Sequence, residues 1–142
     1  MLTKNHSHLV GIDTGVQTGF AEWSRPDKRL LTVDSLKIHE ATDRVCLLHS
    51  LHAHKLFVRV EDARLRTWFG KSGPEVWKGA GSICRDAKIW EDFLTDVGIS
   101  FELVAPKHNK TKVTHEYFTK LTGWVKPTNE HSRDAAMLIY GY

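Results

Sequence analysis

The stretch Leu9-Val10-Gly11-Ile12-Asp13-Thr14-Gly15 constrains this chain more than any other. Leu9, Val10 and Ile12 have the branched or bulky apolar character of a buried strand. Asp is a poor strand residue, so an Asp that closes such a run needs a reason. Capping of a turn is one reason. Delivery of a carboxylate to a shared site is another. Gly15 and Gly19 offer the backbone freedom of a tight turn, and Gly19-Phe20-Ala21-Glu22-Trp23 reads as a returning strand.

The rest of the chain alternates strand and helix signals. Ser24-Arg25-Pro26-Asp27-Lys28 is a polar turn, and Leu30 to Leu36 is a third strand. Thr42 to about Ala53 reads as a helix with Val45, Leu48 and Leu51 or His52 on one face. Leu56-Phe57-Val58-Arg59-Val60-Glu61 is a fourth strand, again ending in a carboxylate. Trp68 to Glu75 holds glycines and a proline and reads as a loop. From Val76 to Val97 the apolar positions Ala80, Ile83, Cys84, Ala87, Trp90 and Leu94 follow helical spacing, and Gly98 stops the helix. Ser100 to Val104 is a fifth strand. Thr111 to Leu121 is a helix with Val113, Tyr117 and Leu121 aligned, closed by Gly123. Thr128 or Asn129 caps a last helix running to about Tyr140. A meander of three strands followed by alternating helices and strands predicts an α/β fold, a mixed five-stranded sheet flanked by helices, built as a single domain over residues 1–142.

Composition narrows the function classes. The chain has 142 residues, 41% hydrophobic and 26% charged, an ordinary globular balance. No apolar run approaches the roughly 20 residues of a membrane span, and the N-terminal residues lack the apolar core of a signal peptide. Cys46 and Cys84 have no metal-type spacing and read as buried free thiols in a reducing, cytoplasmic setting. A net charge of +3 is compatible with nucleic acid without demanding it.

Four ligand-type residues fall at matching element ends. Asp13 and Glu61 each close a strand, and neighbouring strands would bring them together. His131 and Asp134 lie three apart in the last helix and share a face. Ala135 and Ala136 beside Asp134 permit close packing on a sheet. Carboxylates gathered this way repel unless a cation neutralises them. Their oxygens suit Mg²⁺ or Mn²⁺, and two such ions about 4 Å apart can stabilise the attacking and leaving oxygens of a phosphodiester displacement.

The ordered combination of these pieces resembles the RuvC-type Holliday junction resolvases of the RNase H-like superfamily. The pieces are Gly11-Ile12-Asp13-Thr14-Gly15, Val60-Glu61, the helix from Gly79-Ala80-Gly81, Val104-Ala105-Pro106-Lys107 and His131-Ser132-Arg133-Asp134-Ala135-Ala136. The resemblance implies an RNase H-like fold and a homodimer that nicks four-way DNA junctions with two divalent metal ions per site. It places Asp13, Glu61 and Asp134 on the family's catalytic, metal-binding carboxylates. His131 falls where many members carry a fourth Asp and some carry His. The compact length suits a minimal, phage-type member, acting in the cytoplasm of a bacterium or an infected host.

Other residues fit DNA. Lys107, Lys110 and Lys112 form the densest basic run and follow the fifth strand, on the edge where the carboxylates gather. Arg64, Arg66, Trp68, Phe69, Lys71 and Trp77 interleave cations with aromatics, which suits stacking on splayed bases. Packing of Trp68 or Trp77 in the core or at a dimer interface explains these aromatics as well as base stacking does. His49, His52 and His54 lack a complete zinc ligand set and read as a solvated helix face. Three rivals stand beside a junction resolvase. An RNase H-like nuclease could act on flaps, forks or RNA–DNA hybrids. A protein of the same fold could bind junctions without cutting them. The glycine turn after Asp13 also resembles the phosphate loop of actin and sugar-kinase proteins, but those need two such domains and a second glycine-rich loop.

Overall fold

The computed structural model describes residues 1–66, 74–106 and 113–142, with the side chains of 74–80 and 83 outside the description. Five strands and four α-helices follow the predicted order: β1 (His8–Asp13), β2 (Gln17–Ser24), β3 (Arg29–Lys37), α1 (Ile38–His52), β4 (Leu56–Glu61), α2 (Pro74–Val97), β5 (Ser100–Val104), α3 (His115–Thr122) and α4 (Glu130–Met137). The sheet order is β3-β2-β1-β4-β5. β1, β2 and β3 pair antiparallel, whereas β1, β4 and β5 run parallel.

Alternation along β1 divides its side chains between two layers. Val10 and Ile12 face one core with Phe20, Val58, Val60, Val45, Trp90 and Leu94, roofed by α1 and α2. Leu9 faces the other with Ala21, Trp23, Phe57, Phe118, Ala135 and Ile139, under α3 and α4. All six residues of β1 are buried, as a strand covered on both faces must be. Burying these apolar side chains contributes about 1.5–3 kcal/mol for each large one.

Several details differ from the sequence expectation. Helix α1 starts at Ile38, not Thr42, because the Lys37 amide donates to Glu40 Oε1 at 3.2 Å and closes the first turn there. Leu51 stays 68% exposed while His52 turns inward. Helix α2 takes in Pro74 and Glu75, with Pro at the first helical position where its missing N–H costs nothing. Helix α3 starts only at His115, capped by Thr114. It buries Phe118, leaving Tyr117 and Leu121 on its outer side. Cys46 is exposed and Cys84 half-buried, so neither is the core thiol expected. Among the described residues no helix is long and apolar enough to cross a membrane.

Candidate active site

Asp13 and Glu61 are register partners on neighbouring parallel strands, so they leave the sheet at one edge and on one face. Ligand sites of open α/β sheets collect at this carboxyl edge. The Thr14 hydroxyl ties the two strand ends together by donating to the Glu61 carbonyl at 3.2 Å. The turn that follows is held by Thr18, whose hydroxyl donates to the Gly15 carbonyl at 2.8 Å.

Helix α4 reaches the site because two glycines let it. A Cβ on Gly19 would stand 2.0 Å from the His131 carbonyl oxygen, and one on Gly11 would stand 2.1 Å from that of Ala135. Both distances exclude any side chain. Gly19 is therefore not a turn residue: it lies in β2, opposite Asp13, and opens a seat for the first turn of α4. Asn129 caps that turn by accepting from the Ser132 amide at 2.9 Å, and Ser132 returns a bond to the Asn129 amide. Ala135 and Ala136 are fully buried against the sheet.

This seating brings His131 Nδ1 to 3.0 Å from Asp13 Oδ2. Asp13 is 8% exposed, whereas the His131 side chain is 49% exposed. Burial pushes the Asp13 carboxyl up to about 6. The hydrogen bond with His131 opposes that rise, and the carboxylates of Glu61 and Asp134 add to it. Glu61 and Asp134 are both half-buried. Hence the four residues singled out from the sequence meet in one electrostatic neighbourhood.

Three carboxylates with an imidazole nitrogen form a donor set suited to a small divalent cation. Among the described residues, no three His, Cys, Asp or Glu side chains already converge as a finished ligand cluster. The donors fit by chemistry and by neighbourhood, and a cation would relieve the repulsion that burdens Asp13.

The expected DNA contacts are distributed unevenly. Lys107, Lys110, Lys112, Trp68, Phe69 and Lys71 lie outside the described residues, as does the side chain of Trp77. Arg66 is exposed. Arg64 is tied into the fold: its guanidinium holds the buried Asp62 carboxylate, Nη2 to Oδ2 at 2.7 Å, and also Glu91 of α2. Both borders of the basic run are anchored near the carboxylates. On one side the Asp62 amide donates to the Val104 carbonyl at 2.9 Å. On the other, Arg133, next to Asp134, donates to the Val113 carbonyl at 2.7 Å and to Thr128.

Sequence reasoning missed the glycine seat, Arg133 and Arg59. A glycine inside a strand signals close approach of another backbone, so Gly11 carried the clue. Arg59, a cation inside the apolar run Leu56 to Val60, was a second clue. Of the histidines expected on a solvated face, His54 is exposed and His49 half-buried, whereas His52 has a packing role. His52 stacks on His8 with ring centroids 3.9 Å apart, and His8 Nε2 lies 3.1 Å from Glu22 Oε2, at the end of β1 away from Asp13.

No family model matches the sequence, and no curated protein matches it. Among solved structures the chain is similar to T. thermophilus RuvC in complex with Holliday junction substrate. The similarity has a TM-score of 0.55 at 18% identity, over 92% of this chain and 89% of that one. That likeness, with the five-stranded mixed sheet and its flanking helices, makes the fold RNase H-like.

Proposed function

We propose that this chain is a metal-dependent endonuclease that nicks branched DNA and resolves four-way junctions by paired phosphodiester hydrolysis. The observation that carries this reading is the meeting of Asp13, Glu61, Asp134 and His131 at the carboxyl edge of β1 and β4. The fold shared with a RuvC solved on a Holliday junction supports the choice of substrate.

Asp13, Glu61 and Asp134, with His131, would hold Mg²⁺ or Mn²⁺, two ions when fully loaded. Bound there, the ions would supply the positive charge that stabilises the attacking and leaving oxygens of an in-line displacement. The chain's own groups do the rest. Asp13 serves only when ionised, and the His131 ring favours that state by placing Nδ1–H toward Oδ2. Thr14 and Thr18 keep the Asp13 turn rigid, so the reacting geometry is set before substrate arrives. Lys107, Lys110 and Lys112 would hold phosphates flanking the scissile bond, and Arg66, Trp68, Phe69 and Lys71 would line the branch, with Arg64 holding the base of that segment. A homodimer would place two such sites on opposite strands of one junction. The action would be cytoplasmic, where the DNA is.

A cleavage panel tests the substrate. Labelled four-way junction, flap, fork, RNA–DNA hybrid and linear duplex are each incubated with protein and Mg²⁺ or Mn²⁺. Symmetric nicks confined to the four-way junction are expected. Preferred cutting of the hybrid or the flap would instead make it an RNase H-like nuclease of another substrate class. Tight junction binding with no cutting of any substrate would make it a silent junction-binding protein.

A further inference from the structure

We propose that Arg59 is a positioning residue of this site: it pins α4 to the sheet and thereby sets where His131 and Asp134 stand relative to Asp13. The inference rests on the reading of those residues as one reacting site.

Arg59 lies in β4 two residues before Glu61, with Gly11 of β1 and Glu102 of β5 as its register partners. Its side chain is only 12% exposed. Nε donates to Glu102 Oε1 at 2.5 Å, Nη1 donates to the carbonyl of Leu138, and the Tyr142 ring covers the guanidinium at 4.2 Å. Leu138 is the C-cap residue that follows the last residue of α4. Carbonyls at a helix end have no partner within the helix, and a cation there also suits the helix dipole.

The contact matters because α4 has only eight residues, and carbonyls of the helix and of its C-cap face β2, β1 and β4. The His131 carbonyl sits over Gly19, the Ala135 carbonyl over Gly11, and the Leu138 carbonyl on Arg59. The two glycine seats admit the helix without gripping it. Arg59 supplies a directional bond at the C-terminal end of α4, as His131 does with Asp13 at the other end. A helix advances about 1.5 Å per residue, so a slip of one residue exceeds the tolerance of the His131–Asp13 hydrogen bond. A planar fork serves Glu102 and Leu138 together in a fixed geometry, which a lysine ammonium on its flexible stem reproduces only in part. A structural ion pair alone would explain burial and Glu102, but not why the second arm of the fork ends on the helix that bears the site.

The test compares Arg59→Met and Arg59→Lys with Leu94→Val, a core change on the opposite face of the sheet. Three quantities are read: the melting temperature, the ¹⁵N shifts of the His131 ring at one fixed pH in metal-free protein, and the steady-state constants for junction cleavage. Arg59→Met is expected to move the His131 Nδ1 shift toward that of Asp13→Ala. It should lower kcat by about 10-fold or more with KM little changed. Arg59→Lys should recover part of both effects, and Leu94→Val should show neither. If Arg59→Met and Arg59→Lys leave the His131 shift and kcat at wild-type values and lose only stability, as Leu94→Val does, the proposal is wrong. Should Arg59→Met not fold, Arg59→Lys decides by the same readouts. Should the wild type cleave nothing, the nuclease reading fails on its own, and the His131 shift alone decides whether Arg59 positions α4.

Discussion

Asp13 is held in an unfavourable state by the fold around it. Burial and the neighbouring carboxylates raise its carboxyl from the ordinary 3.8 to about 6. A raised carboxyl pKa favours the protonated folded form. That stability is fully present below the unfolded value and is lost as pH rises through about 6. Asp13→Asn keeps an acceptor for His131 and sheds the charge. Metal-free Asp13→Asn should therefore unfold with more difficulty than wild type at pH 7, by on the order of 2–3 kcal/mol, and the advantage should vanish near pH 4. Denaturant titrations at the two pH values measure this. A variant no more stable than wild type at pH 7 would mean that Asp13 is not electrostatically strained. Such a gain accompanied by lost cleavage is the trade expected of a residue kept for chemistry. His131 offers a second prediction. An imidazole nitrogen is a softer donor than a carboxylate oxygen and suits Mn²⁺ over Mg²⁺. Cleavage should run faster with Mn²⁺, and His131→Asp should narrow that difference. Equal narrowing in an exposed control such as Glu130→Asp would dissociate His131 from the metal. Asp13 and Glu61 stood out in the sequence because each ends an apolar run, and Asp134 because it lies one helical turn from His131 beside two alanines. Arg59 and Arg133 were harder to interpret, since each has among its partners a main-chain carbonyl distant in sequence, which no local pattern reveals.

At the scale of elements, the site depends on how closely α4 lies on β1 and β2. Gly19→Ala would put a methyl 2.0 Å from the His131 carbonyl, so the first turn of α4 must lift. A loss of about 1–3 kcal/mol is expected, as for overpacked cores, together with loss of the His131–Asp13 contact. Thermal melts and the His131 ring shifts read the two effects. Unchanged shifts would show that the seat does not position the site. The strands were legible because β1, β4 and β5 are short apolar runs bounded by turn residues. Helix faces were less so. In α3 the regular spacing of Val113, Tyr117 and Leu121 suggests the inward face, yet Phe118 fills the core and Tyr117 is 56% exposed. A helix of eight residues carries too few turns for periodicity to choose between adjacent stripes. Gly19 was assigned to the turn for a similar reason: a glycine near a turn looks alike whether it bends the chain or admits a helix.

The molecule as a whole carries a net charge of +3, too little to bind DNA without concentrating its cations. Lys107, Lys110 and Lys112 form the densest run of cations in the sequence, following β5 in the chain. Junction affinity should fall steeply with salt, and each phosphate-contacting lysine removed should reduce the slope of log K against log salt by about 0.9. Equal slopes for wild type and a Lys107→Ala, Lys112→Ala double variant would assign that segment no phosphates. The most direct measurement follows paired nicking of a labelled four-way junction by wild type and by Asp13→Asn, Glu61→Gln and Asp134→Asn, each with Mg²⁺, Mn²⁺ or chelator. Wild type should cut only with a divalent ion, and each amide variant should lose several orders of magnitude in rate, since a catalytic set acts as a unit, while still binding the junction. Cleavage that survives chelation, or that persists at near wild-type rate in all three amide variants, would contradict a carboxylate-held metal site at the end of β1.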